Sequence, residues 1–275
     1  MRRYTYDAKN YPLSEIALGS IQKHYPDVQD LSLLHEHVPS KKIGELAKII
    51  GKDLADTNFY KIFDKLLEDY VSLGEILVQR FGNIRINIPN QDKDGTVLPF
   101  HQGQWVGNGL GLRTVWLPFT DAYDSNSLQI VNLMDSREIT NACTEWDYLR
   151  LQEECKKYCE PVNIRKGQFI LFTQEHIHGA AANRTGKTRM SIDVRLLLKD
   201  GQPHRKWPGA YFRKLHDTDI HSRKVEIKDN DNVVMYAEYE GFKTRYIDLH
   251  FQTLTVKDYC NRMGYTFPHQ TGDNE

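Results

Sequence analysis

The stretch Arg189-Met-Ser-Ile-Asp-Val-Arg195 carries Arg, Ser, Asp and Arg at its odd positions and Met, Ile and Val at its even ones. Strict alternation of this kind is the mark of a strand, because successive side chains point to opposite faces of a sheet. Ile84-Arg-Ile-Asn-Ile88 alternates in the same way, with Arg85 and Asn87 on one face, and Pro89 closes it because proline cannot donate to a ladder. Ser127-Leu-Gln-Ile-Val131 sets Ser127 and Gln129 on one face, Leu128 and Ile130 on the other. Polar faces like these either meet water or line the polar interior of a barrel whose apolar outer faces meet helices. The residues beside the strands decide between the two.

Ahead of these strands the first eighty residues read as mostly helical. From Asn58 to Gln79 apolar residues recur at three- and four-residue steps, with Asp56 or Thr57 as the cap, which predicts one amphipathic helix. Asn90 to Gly95 is rich in turn residues. Further strands are predicted at Arg113–Phe119 and Gln168–Phe172, and a helical insert at Thr144–Tyr158. Lys199 to Pro208 reads as a polar loop, and Val233 to Met263 mixes strand-like and helix-like stretches. Helices followed by many short strands predict an α+β domain with a sandwich or barrel core. The expected layout is one domain over 1–275, with a helical part at 1–80, a β core at 81–200 and an extension at 201–275.

Composition narrows the partners. At 40% hydrophobic and 27% charged, the chain has an ordinary globular balance. Its 36 Lys plus Arg against 37 Asp plus Glu leave a net charge of -1, so no global field favours nucleic acid or an anionic membrane. No run approaches the roughly 20 apolar residues that cross a bilayer. The opening MRRYTYDAKNYPLSE lacks the apolar core of a signal peptide. Cys143, Cys155, Cys159 and Cys260 form no CxxC pair, and Cys155 and Cys159 share a helical face without histidine partners. They read as free thiols in a reducing cytoplasm. Any partner is therefore argued from a local site.

Three segments supply that site: LPFHQGQWVGN (98–108), DSNSLQIVN (124–132) and FTQEHIHGAAANRTGKTR (172–189). A redox metal such as Fe(II) is commonly held by two histidines and a carboxylate on one face, which leaves positions open for cosubstrate and oxygen. A cation further along the distal strand then pairs with the cosubstrate's far carboxylate, a task that suits the planar fork of arginine. From about Ile84 to Leu197, the chain resembles the Fe(II)/2-oxoglutarate oxygenases, in particular the phytanoyl-CoA dioxygenase-like branch and, within it, bacterial oxygenases of carbohydrate and aminoglycoside biosynthesis. His101 matches the first ligand and is followed by Gln104-Trp105-Val106-Gly107. Arg113 to Phe119 matches the next strand, His178-Gly179 the distal ligand with its glycine, and Arg189, eleven residues on, the cosubstrate arginine. Asn183, Gly186 and Ser191 fit the surrounding pattern.

The resemblance implies a double-stranded β-helix (jelly-roll, cupin-like) core flanked by N-terminal helices. It implies Fe(II) on His101 and His178, 2-oxoglutarate on Arg189 and O2 as cosubstrate. Ser127 and Gln129 are candidate cosubstrate contacts; Arg85, Asn87 and Arg195 are candidate substrate-side residues. His176 is a rival for the distal position, although the glycine after His178 and the spacing to Arg189 favour His178. Trp105 and Trp116 are read as packing. His35, His37, His204, His216 and His221 are read as ordinary polar residues.

One position departs from the family: where it places Asp or Glu, two residues after the first histidine, this chain has Gly103. Three explanations compete. The position is open and takes chloride, as in 2-oxoglutarate-dependent halogenases; or water or another side chain replaces the ligand, with Gln104, Asp193 and Glu175 as candidates; or the protein binds no catalytic metal. The expected reaction is oxidation of an unactivated C–H bond by hydroxylation, with halogenation as the alternative. The implied substrate is a small molecule, a sugar or nucleotide sugar, which the basic loop Gln202-Pro-His-Arg-Lys-Trp207 with Arg213 and Lys214 could meet. A cupin-like binding module or isomerase is the rival class. Whether the helical N-terminal part serves as a dimer contact, a lid or an outer wall stays open, and with it a homodimer.

Overall fold

The computed structural model describes residues 1–90, 98–106, 108–199, 201, 211–217, 224–229, 232–238, 255 and 258, with backbone only for 224–229 and 232–238. Outside them lie most of the Asn90–Gly95 turn, Gly107, the loop Gln202–Trp207, His204, His221, Cys260 and most of the Val233–Met263 tail. Along the chain run β1 (Arg2–Thr5), α1 (Leu13–Gln22), α2 (Leu34–His37), α3 (Ile43–Asp53), α4 (Phe59–Tyr70), β2 (Ile76–Gln79), β3 (Asn83–Asn87), β4 (His101–Gln102), β5 (Leu112–Pro118) and β6 (Leu128–Val131). There follow α5 (Leu133–Ala142), α6 (Tyr148–Tyr158), β7 (Cys159–Pro161), β8 (Gln168–Thr173), β9 (Ile177–Ala180), β10 (Arg189–Leu198), β11 (Phe212–Lys214), β12 (Lys224–Asp229) and β13 (Asn232–Glu238).

The alternating stretch at 189–195 becomes the centre of the larger sheet. That sheet runs β1-β8-β5-β10-β2-β11, with β3 also paired to β10. A smaller sheet runs β4-β9-β6-β7, and β12 and β13 pair with each other alone. Every pairing is antiparallel. The even residues of β10, Met190, Ile192, Val194 and Leu196, are buried in one core with Phe59 and Phe63 of α4 and Ile50 of α3. The odd residues Arg189, Ser191, Asp193 and Arg195 are buried too. The polar face of β10 therefore does not meet water: helices cover one side of the larger sheet and the polar side chains point inward.

Two expectations about the elements are corrected. The helix expected over Asn58–Gln79 stops at Tyr70, and Ile76–Gln79 is a strand against β10, with Val78 opposite Leu196. Gly74, at φ 69, turns the chain between them, and the following Ile-Leu-Val suits a strand better than a helix. Thr57 still helps start α4, its Oγ1 accepting from the Phe59 N–H at 3.1 Å. The insert expected at Thr144–Tyr158 holds α6, and a further helix, α5, precedes it outside the expected range; Asn132 and Asp147 cap the two, their side chains accepting from the N–H groups of Asp135 and Arg150. Among the described residues, Cys143, Cys155 and Cys159 form no disulfide, and the first two are buried there. Among the described residues, no helix is long and apolar enough to cross a membrane.

Arg213 of β11 was read from sequence as one of the basic residues that could meet an anionic group. Its side chain is instead buried against α4, with Nη1 and Nη2 donating to both Asp64 carboxylate oxygens at 2.6 and 2.7 Å. Asp64 also accepts from the His216 N–H at 2.9 Å. Removing one partner strands a buried charge, so Asp64→Ala is expected to cost about 3–5 kcal/mol in chemical denaturation. A loss below about 1 kcal/mol, the scale of an exposed pair, would show that this contact does not tie β11 to the domain.

Candidate active site

The smaller sheet sets two histidines side by side. His101 in β4 is the direct cross-strand partner of His178 in β9, so both rings leave the sheet on one face, with centroids 4.4 Å apart. Each ring is oriented through Nδ1, which donates to the Pro99 carbonyl at 2.9 Å in His101 and to the His176 carbonyl at 3.0 Å in His178. That tautomer leaves the lone pair on Nε2, and among the described residues no hydrogen bond engages it. Burial pushes His101 down to about 4, with the Pro99 carbonyl opposing and Arg85 and Arg195 adding to the shift. Burial, then the neighbouring His101, holds His178 well below the ordinary imidazole value. Two neutral imidazoles with fixed tautomers and free Nε2 atoms fit a divalent metal.

His176 does not compete for this place. It precedes β9, and its Nδ1 is 2.9 Å from Thr173 Oγ1, while its backbone carbonyl orients His178. Gly179 explains the glycine after the distal histidine. A Cβ there would lie 3.0 Å from Leu98 O and Phe100 N, where the segment leading into β4 crosses β9 and the Ala180 N–H donates to Leu98 O at 2.8 Å.

Facing this pair is the inner side of the larger sheet. The Phe172 ring of β8 meets the His178 ring at 5.0 Å, and Phe172 pairs with Thr114 of β5. Next on that face, Trp116 donates from Nε1 to Ser191 Oγ at 3.1 Å and lies 5.9 Å from the Arg189 guanidinium carbon. Arg189 donates from Nε to Asn126 O at 3.1 Å and from Nη1 to Ser191 Oγ at 2.9 Å and Arg85 O at 3.3 Å. Nη2 has no partner and no carboxylate pairs with Arg189 among the described residues. Burial, aided by Arg85, pulls this guanidinium down to about 10. A buried arginine with no direct ion-pair partner among the described residues fits the carboxylate of a ligand.

The remaining candidates divide. Arg85 and Arg195 reach the same inner face, where both bind Asp193, Arg85 through Nε at 2.9 Å. Asn87 faces inward as well, but its Nδ2 donates to the carbonyls of Asn126 and Ala181 at 3.3 Å each. Ser127 and Gln129 are not brought to the histidines. Ile130 is the residue opposite His178, so the register sends Gln129 to the other face of the smaller sheet. Ser127 Oγ donates to Val162 O at 2.6 Å, and Gln129 Nε2 to Asp124 O at 2.9 Å.

Nor is either acidic candidate free to replace the ligand missing at Gly103. Asp193 accepts from Arg85, Arg195 and Asn83, and Arg195 and Arg85 hold its carboxyl below the usual range against burial. Glu175 pairs with Arg137 at 2.8 Å. Among the described residues, no group of three or more His, Cys, Asp or Glu could hold a metal. Sequence reasoning missed Gln174, whose amide stands against Gly103, and Asn126, whose carbonyl receives Arg189. Both act through long-range placement that no local pattern announces.

A family model described as phytanoyl-CoA dioxygenase (PhyH) matches residues 49–191. The chain belongs to the phytanoyl-CoA dioxygenase family. No curated protein sequence matches it. Among solved structures, the PhyH-family chain is similar to the non-heme alpha ketoglutarate dependent carbocyclase SnoK from nogalamycin biosynthesis, at 18% identity over 52% of this chain and 62% of that one, TM-score 0.38. It thus spans less than two thirds of SnoK. It is also similar to the non-heme monooxygenase ThoJ in its nickel complex, at 16% identity over 92% of both chains, TM-score 0.42. A third is HygX from Streptomyces hygroscopicus with nickel and 2-oxoglutarate bound, at 10% identity over 71% and 81%, TM-score 0.39.

Because the Gly179 position abuts backbone, Gly179→Ala is expected to push the 98–100 segment and His101 with it. The expected cost is about 1–3 kcal/mol in unfolding free energy, the scale of an overpacked site. Divalent-metal binding by calorimetry should weaken in parallel; unchanged metal binding would show that the 98–100 crossing does not position His101.

Proposed function

We propose that this PhyH-family chain is a non-haem Fe(II)/2-oxoglutarate-dependent oxygenase acting on an unactivated C–H bond of a small molecule. In this reading residues 1–275 form one oxygenase domain, and its two antiparallel sheets form a double-stranded β-helix with the site between them. The observation that carries it is the registered pair His101 and His178, buried, neutral and, among the described residues, free at Nε2, facing a buried Arg189 that has no ion-pair partner among the described residues.

His101 and His178 hold the iron, and Arg189 holds the distal carboxylate of 2-oxoglutarate. When bound, iron and 2-oxoglutarate supply the oxidising power, with oxygen consumed and succinate and carbon dioxide released. The chain's own contribution is placement. The carbonyls of Pro99 and His176 keep both imidazoles in the tautomer that offers Nε2. Ser191 and Asn126 hold the Arg189 fork, and Trp116 covers its face. Among the described residues, the guanidiniums of Arg85, Arg189 and Arg195 share this face with the Asp193 carboxylate, a lining that suits a dianionic cosubstrate. Arg85 is the most open of the three and is the residue assigned to the substrate side; a carbohydrate or related metabolite is the substrate class the reading favours. Oxygenation is favoured over halogenation because halogenation needs open space beside Gly103, and Gln174 stands there.

Incubation of the purified chain with Fe(II), 2-oxoglutarate and oxygen, without added substrate, should release succinate slowly. His101→Ala should stop it, and Arg189→Met should raise the half-saturating 2-oxoglutarate concentration on the order of 100-fold, the scale of truncating a buried charge pair. No succinate above a metal-free control would remove the reading.

A further inference from the structure

Two residues after the first paired histidine, the backbone carries no side chain, and the space is filled from another strand. A Cβ built on Gly103 would lie 1.9 Å from Gln174 Oε1, 2.9 Å from Gln174 Cδ and 3.2 Å from Asn108 Nδ2. Gln174 sits between β8 and β9, four residues ahead of His178, and is 2% exposed. Its Nε2 donates to Thr114 Oγ1 at 2.8 Å, and Thr114 is the cross-strand partner of Phe172, whose ring touches that of His178. The amide is thus anchored by its nitrogen on the larger sheet while its oxygen is directed at Gly103 on the smaller one. No hydrogen bond engages that oxygen among the described residues.

We propose that Gln174 Oε1 takes the place of the missing carboxylate and is the third protein donor to the metal, an inference that rests on His101 and His178 as the other two. An amide oxygen is a hard donor suited to divalent iron or manganese. It differs from a carboxylate in carrying no net charge. The protein then offers a wholly neutral set of two imidazoles and one amide, so its hold on the cation lacks the Coulomb attraction that a carboxylate adds. The same amide occupies the position a halide would need. Gly103 is small because Gln174 is there: a longer side chain at 103 would meet the amide head on.

The test is Mn(II) affinity of the intact chain under nitrogen, read from the electron-paramagnetic signal of free Mn(II), with the Co(II) visible spectrum as a second measurement. Gln174→Glu, which keeps the shape and adds charge, should tighten Mn(II) on the order of tenfold. Gln174→Ala should weaken it on the order of tenfold and make the Co(II) spectrum respond to chloride. Gly103→Asp alone should lose binding for want of room, and Gly103→Asp combined with Gln174→Ala should recover wild-type affinity or better. These magnitudes follow the usual effect of altering a metal site's close surroundings. If the Gln174 variants bind Mn(II) like the wild type while His101→Ala abolishes binding, this inference is overturned and the histidine pair stands. If His101→Ala also binds like the wild type, the underlying site reading falls with it.

Discussion

Burial of β10 on both faces is the constraint from which the rest of the molecule follows. Its apolar side chains need helices, and α3 and α4 supply them. Its polar side chains need partners inside the protein, because a buried unpaired ion costs several kcal/mol. Asp193 therefore collects Arg85, Arg195 and Asn83, and Ser191 collects Trp116 and Arg189. A shift of one residue in register would exchange the two faces at once, so the core and the site depend on the same pairing. Arg189, unlike Arg85 and Arg195, has no carboxylate partner among the described residues.

Within the larger sheet β3 and β10 were legible because 84–88 and 189–195 alternate strictly, while the alternation left open whether their polar faces met water or an interior. In the smaller sheet only β6 was legible in that way. Its histidine-bearing strands span two and four residues, too short for a period to show. Alternation also says which residues share a face without saying which face is inside. Ser127 and Gln129 were assigned inward by analogy with β10, but this sheet turns Leu128 and Ile130 to the interior, against Trp116 and Phe172. The interior is therefore polar on the larger sheet and largely apolar around the histidines, a division no single strand reveals. Ile76–Gln79 failed for a related reason: its apolar steps fit a helix until Gly74 and the pairing demands of β10 are taken into account.

A mostly apolar surround is also what makes the imidazoles neutral. Leu128, Ile130 and Phe172 pack on their side, and arginines of the larger sheet oppose protonation further. The rings are ready as donors without a carboxylate to prepare them, since backbone carbonyls already fix their tautomers. Preparation by carbonyls costs the chain little: the acceptors belong to Pro99 and His176, each two residues before the ring it orients.

Charge balance links the two sheets in the proposed arrangement. Among the described residues, the inner face of the larger sheet sets Arg85, Arg189 and Arg195 beside one paired carboxylate, Asp193, and the proposed metal donors opposite are neutral, so none of these groups brings negative charge to a cation. In the proposed arrangement that charge arrives with the cosubstrate, one carboxylate on Arg189 and the other beside the metal. Retention of the metal and binding of 2-oxoglutarate then become mutually dependent, because each relieves the electrostatic cost of the other and linkage makes the effect reciprocal. A family member that kept its carboxylate would hold iron on its own charge. In the proposed arrangement the anion held on Arg189 offsets the absence of that group at Gly103.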